Sequence, residues 1–362
     1  MNSMLLTPRL FIFSIILCQF VPKYFAQKST YEGFAQEYYF GRQYSSRAEA
    51  IGQCFVSLDG DASSMHFNPA GIGNLDGIEV STTYTNPFYL LSDATKRSIN
   101  IAVKINSDMA LGLSRNSFDY NLKSYVTDNL GTRLDSFEDK ITNNKIVFAY
   151  LPESTFTIGG SLGLSTFEIA GLTGNSLQLD FGVLKKFEFS RFQNNQSINL
   201  ATTIRNPLGT QLELMSTNQS LTTIGLPIIM RSGVSYYYSS EKVFATLCLL
   251  KIIAATEYQT VFNTQHRFNK YSTGLEVSIL EIIHIRGGYY TETTENYNNP
   301  KNKSQLEDIT FGIGLTLPLN KLADLPVSLT LDYCSLPQPS YTVGQEWDNF
   351  NSYTASLRYI LF

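Results

Sequence analysis

From Ile78 to the end of the chain, apolar and polar side chains take turns along the sequence. Ile78, Val80 and Tyr84 are interleaved with Glu79, Ser81 and Thr83. In the last ten residues, Tyr353, Ala355, Leu357, Tyr359 and Leu361 fall on one face, and Thr354, Ser356 and Arg358 on the other. A period of two is that of an extended strand. A slip of one residue would swap the faces, so each such segment carries its own register.

About fourteen segments show this alternation: 78–85, 98–105, 109–113, 146–150, 156–164, 177–183, 198–204, 228–238, 243–249, 275–279, 283–289, 309–317, 327–333 and 353–362. Residues 121–140 read as a loop or a frayed strand extension. Some 20 residues beginning at Asn206-Pro207 read as a loop, as do 295–304 and 337–348. Short and long connections roughly alternate, as in barrels with short periplasmic turns and long extracellular loops. The expected fold is all-β, a transmembrane antiparallel β-barrel of about 14 strands. A soluble β-sandwich with a polar exterior is the competing architecture.

Charge placement favours the barrel. Charged residues are 16 % of the chain, where roughly 25 % is usual. Lys104, Asp180, Arg205, Arg231, Glu276, Arg286, Asp332 and Arg358 all fall on the polar faces of their segments. A charge on a lipid face near mid-membrane costs about 2–4 kcal/mol, so these eight are predicted to face a lumen. The terminal strand, with Tyr353, Leu357, Tyr359 and Phe362, resembles the assembly signal of bacterial outer-membrane barrels and is predicted to close the cylinder. That places the protein in the outer membrane of a Gram-negative cell, with membrane lipid and the barrel assembly machinery as partners.

The amino terminus is different. Arg9 precedes an apolar run from Leu10 to Val21, too short for a spanning helix of about 20 residues. Residues 1–26 therefore read as a signal peptide cleaved after Ala26. Loss of Arg9 and Lys23 moves the net charge from −4 to −6, and no basic patch suggests nucleic acid. Cys54, Cys248 and Cys334 are too scattered for a disulfide framework or a zinc site, although one pair could bridge.

Residues 27–77 read as a separate compact module before the barrel of 78–362. Asp61 can cap a short helix beginning at Ala62. Pro69 ends it and pushes Asn68 out of helical geometry. His66 has no second ligand nearby and reads as a packed or solvated side chain.

The Arg47-Ala start, an apolar strand, an acidic-Ala-Ser turn and Asn68-Pro69-Ala70-Gly71 resemble the hatch of FadL-type outer-membrane transporters. They resemble still more the PorV/PorQ-like branch of Bacteroidetes. Leu226-Pro-Ile-Ile-Met-Arg-Ser-Gly, Thr273-Gly-Leu-Glu276 and Ile285-Arg-Gly-Gly-Tyr289 extend the likeness in the same order. The resemblance implies a lumenal hatch and one of two roles. The PorV/PorQ-like branch implies docking or shuttling of cargo in type IX secretion, with secretion-system and cargo proteins as partners. The FadL-type relationship implies uptake of a hydrophobic small molecule that leaves through a gap in the wall. An inward row mostly of Ser, Thr, Gly and charge favours docking.

The sequence holds no phosphate loop, no His-Glu-x-x-His and no Gly-x-Ser-x-Gly elbow, the signatures of common enzyme chemistries. No enzyme, cofactor or metal is expected. Glu292, Glu295 and Glu307 are expected in a solvated extracellular rim.

Overall fold

The end of the chain finds its partner at the beginning of the strand series. Phe350–Tyr359 lies antiparallel to Ile78–Asn86, with Tyr359 opposite Ile78 and Asn351 opposite Asn86. This pairing closes the sheet, which would otherwise present unpaired backbone groups to lipid at several kcal/mol each. The computed structural model describes residues 44–86, 94–127, 133–169, 172–191, 194–216, 219–243, 247–262, 266–296, 299–336 and 350–360. The expected signal peptide (1–26) and Phe362 lie outside the described residues.

In chain order the strands are β1 (Ile78–Asn86), β2 (Thr95–Lys104), β3 (Met109–Thr127), β4 (Arg133–Glu153), β5 (Phe156–Ile169), β6 (Leu172–Arg191) and β7 (Asn194–Arg205). Then come β8 (Gln211–Ser216), β9 (Gln219–Gly225), β10 (Ile228–Ser239), β11 (Leu250–Phe262), β12 (His266–Ile279) and β13 (Ile283–Asn296). The last are β14 (Asn299–Pro318), β15 (Val327–Leu336) and β16 (Phe350–Tyr359). Each wall strand pairs with its sequence neighbours, β7 pairs with β10, and β1 with β16. The wall is a closed antiparallel barrel of 14 strands.

Three sequence expectations are corrected. The loop after Arg205 carries the hairpin β8–β9, which touches the wall where Met215 pairs with Thr173 of β6. The described residues of 243–249, Val243 and Leu247–Leu249, lie outside the wall strands, and the ninth wall strand is β11. Its inward row includes Ile253 and Ala255 beside Glu257, which blurs the polar–apolar contrast. The described residues of 295–304, expected as a loop, belong to β13 and β14, whereas at 121–140 the strand-extension reading holds: β3 and β4 stay paired out to Thr127 and Arg133, across register shifts at Asp119/Lys123 and Val126/Thr127.

The outer surface carries a belt of apolar side chains. Leu113, Ile146, Leu177, Phe311, Leu331 and Leu357 are each about half exposed. A soluble monomer rarely exposes an apolar patch beyond a few hundred Å², so this belt is a lipid-facing surface. Tyr84, Tyr353 and Tyr333 line its upper edge, as in barrel girdles. With its closed wall, the protein is an outer-membrane β-barrel.

Candidate functional site

Residues 44–77 fill the lumen. Ser46–Ala50 forms a single helical turn, α1. Ala62–His66 and Pro69–Asn74 are 3-10 turns. Asp61 accepts from Ser63 N at 2.6 Å, and Asn68 Oδ1 accepts from Ala70 N at 3.0 Å, the two capping roles those residue types suit. The strand expected after the Arg47-Ala start does not form. Gly52 and Gln53 both have positive φ, which breaks an extended run, and the neighbouring wall strands are already paired with each other.

Two pairs of wall glycines let this segment in. A Cβ at Gly159 or Gly182 would overlap Ala70 N or Asn68 Oδ1, and one at Gly274 or Gly288 would overlap Ile51 O or Gly52 N. Asn68 also donates to Val56 O at 3.0 Å and to Val183 O at 3.2 Å. The four residues Asn68-Pro69-Ala70-Gly71 thus form a buried turn pressed against β5 and β6.

Charged side chains of the wall, several on the same strands as these glycines, also hold the segment. Glu276 accepts from Arg47 Nε at 2.8 Å and from Arg286 Nε at 2.6 Å, and Arg286 continues to Asp332 at 2.7 Å. Glu257 accepts from the backbone N–H groups of Phe55 and Val56, both at 2.9 Å, and pairs with Arg231 at 3.2 Å. Glu79 accepts from Ala62 N at 3.1 Å and from Arg358, which also donates to Gly60 O at 2.6 Å. Asp180 pairs with Lys145 and lies 3.7 Å from Arg205, which donates to His66 O. Lys104 donates to Gly73 O.

Of the eight charges predicted to face the lumen, Asp180, Arg205, Arg231, Glu276, Arg286 and Asp332 are buried on the inward face. Lys104 and Arg358 are partly exposed inward-facing groups near the periplasmic end. Buried Lys96, Lys145, Glu257 and Lys270 also face inward, beyond the eight. Lys145 and Lys270 fall shortly before the segments 146–150 and 275–279, whose period run backwards faces both inward, and Glu257 was hidden by the misplaced strand. Glu292 is buried on β13 rather than in a solvated rim, whereas Glu307 is exposed and accepts from Tyr289 Oη at 2.7 Å. The lipid-facing residues of β16 include Tyr353, Leu357 and Tyr359.

His66 stacks on Tyr44 at 4.2 Å, and its Nε2 meets Asn100 Oδ1 at 2.6 Å. Burial, with Lys145 nearby, holds its pKa well below the usual histidine range. It is a neutral packing residue. The three described cysteines are free and buried.

The lumen differs on the two sides of the segment. On the periplasmic side is a cavity of about 680 Å³ with Arg47, Asp61, Glu79, Glu276, Arg286 and Arg358 among its lining residues. On the extracellular side is an apolar cluster: Phe118 of β3, Ile141 of β4, Phe167 of β5 and Leu336 of β15 pack with Leu212 and Leu214 of the hairpin and with Leu226. These side chains fall on inward faces at the far ends of their strands, where the sequence pointed to Ser, Thr, Gly and charge. The hairpin brings in two of them, and the alternation of Leu212 and Leu214 with Gln211 and Glu213 was its signal.

No family model and no curated protein matches the sequence. Among solved structures, the chain is similar to a FadL homologue from Pseudomonas aeruginosa, with 10 % identity over 89 % of this chain and 99 % of that one and a TM-score of 0.47. It is also similar to the toluene transporter TodX of P. putida, with 11 % identity, 87 % and 96 % coverage and a TM-score of 0.47. For the toluene transporter TbuX of Ralstonia pickettii the figures are 9 %, 88 %, 98 % and 0.44.

Proposed function

We propose that this barrel takes up hydrophobic small molecules across the outer membrane and that residues 44–77 are its hatch. The observation that carries the reading is the apolar cluster above the lumenal segment, with Phe118, Ile141, Phe167, Leu212 and Leu214 turned inward. An aqueous pore gains nothing from burying such side chains in its mouth. A hydrophobic ligand does, at about 25 cal/mol per Å² of apolar surface removed from water. The described wall strands are paired all round, so the route we favour runs past a displaced hatch rather than sideways.

The secretion reading, docking of type IX cargo, has one observation on its side: the charged periplasmic cavity. Deletion of the gene separates the two. Slower uptake of a panel of radiolabelled aromatic and long-chain compounds, with an unchanged set of secreted proteins, supports transport. Normal uptake with secreted proteins stranded in the periplasm would reverse the preference.

A further inference from the structure

The belt's upper edge is not uniform. On β15, β16 and β1 it is marked by Tyr333, Tyr353 and Tyr84, but on β2 and β3 the outward residues are Arg97 and Arg115. Arg115 stands opposite Ile99 on one side and Asn144 on the other, and that row continues through Leu164 to Leu177. Arg97 lies in the next row up, opposite Ser117, with its guanidinium 5.8 Å from the Tyr84 ring. Both arginines are exposed, and among the described residues no carboxylate lies within ion-pair distance of either. One row above Arg97 the charges alternate: Asp119, Lys140 and Glu168 are paired in register across β3, β4 and β5. The outward charges of that row alternate in sign, whereas the row of Arg97 and the row of Arg115 hold no carboxylate in register with the arginine on either neighbouring strand.

Directly beside Arg115 the outer wall is hollowed. A depression of about 410 Å³ is lined by Ile99, Leu113, Ile146, Leu162, Leu164 and Leu177, with Asn144 and Gly163 among the residues between them. The Asn144 side chain there is smaller than its neighbours in the row, Arg115 of β3 and Leu164 of β5.

We propose that this surface holds a phosphorylated lipid of the outer leaflet, a lipid A-type glycolipid, with an acyl chain in the depression and a phosphate on Arg97 and Arg115. The two halves of the site call for one amphiphile. The depression is apolar and opens towards hydrocarbon, so its occupant has an acyl chain. The two guanidiniums at the belt edge call for an anion there, and guanidinium binds phosphate through paired, charge-assisted hydrogen bonds. The site sits on the outside of the wall, away from the lumen, and does not depend on the transport reading.

The test uses the full-length protein, purified in a non-ionic detergent and examined by native mass spectrometry with added diphosphoryl lipid A or its enzymatically dephosphorylated form. Wild type should retain the phosphorylated lipid at least tenfold more strongly. Arg97→Gln with Arg115→Gln should remove that preference. Asn144→Trp, which fills the depression and leaves both charges, should weaken retention of both lipids. Heat-modifiable migration on gels checks that each variant is folded. Equal retention of the two lipids by wild type, or an undiminished preference in the folded double variant, would overturn the assignment.

Discussion

Arg47 in the lumenal segment grips both carboxylate oxygens of Glu276 on β12, at 2.8 and 3.1 Å. The contact is a bidentate, charge-assisted pair of the kind that holds geometry as well as charge. Glu276 is almost fully buried, and Arg286 shares it. Replacement of Arg47 by Met leaves Arg286 in place, so the carboxylate stays half-paired. We expect a loss of about 2 kcal/mol, concentrated in the segment. Hydrogen exchange should rise across residues 44–77 while the wall strands keep their protection. Uniform loss of protection would mean that the pair supports the barrel rather than the segment.

Adjacent glycines on β13 offer a sharper contrast. A side chain at Gly288 would run into Gly52, while one at Gly287 would meet only Thr310 O, at 3.8 Å. Gly288→Val should expel the segment, open a conducting pore in planar bilayers and expose Cys54 to a soluble maleimide. Gly287→Val should do none of these. Cys54 is a good reporter because it is buried in the segment and burial raises its thiol pKa, with Glu257 adding to the shift. A silent Gly288→Val variant would contradict the close approach.

The apolar mouth depends on the hairpin. β7 and β10 pair directly, with Arg205 opposite Ile229, so the wall does not need β8 and β9. Leu214→Asp buries a charge among Phe167 and Leu212 and should free the hairpin. We expect uptake of hydrophobic compounds to fall at least fivefold, with heat-modifiable migration unchanged. Unaltered uptake would remove the apolar cluster from the proposed route.

At the periplasmic end, Glu281 lies in the β12–β13 turn, where it pairs with Lys251 at 3.0 Å and with Lys321. Burial alone would raise its pKa, but the Lys321 hydrogen bond and the Lys251 charge outweigh it and hold the carboxyl down to about 2. The folded pKa lies below the unfolded one, so the stabilisation is complete above about pH 4.5. It drains away as pH falls towards 2. Glu281→Gln should therefore cost about 1 kcal/mol at neutral pH and only a small fraction of that at pH 2, measured as urea midpoints in the same detergent. A difference undiminished at pH 2 would assign the effect to packing.

Much of the wall could be read directly. The row of Ile313, Leu315 and Leu317 against Gly312, Gly314 and Thr316 states both strand and facing, because period two is a local property. The β11 strand was harder. Ile253 and Ala255 on its inward row meet the lumenal segment, so both faces carry apolar residues and the contrast fades. The hairpin was missed because six- and seven-residue strands in a polar loop give little pattern to count.

By itself the sequence determined a closed sheet with an apolar outside, because every second residue had to suit hydrocarbon and the charges had to avoid it. Tertiary structure alone decided what the inside holds. Arg47 meets Glu276, Gly288 admits Gly52, and Leu214 reaches Phe167 across separations that no local period encodes. Whether an inward side chain lines a cavity, grips the lumenal segment or joins an apolar mouth depends on its height in the barrel. That height is set by the register of all fourteen strands together.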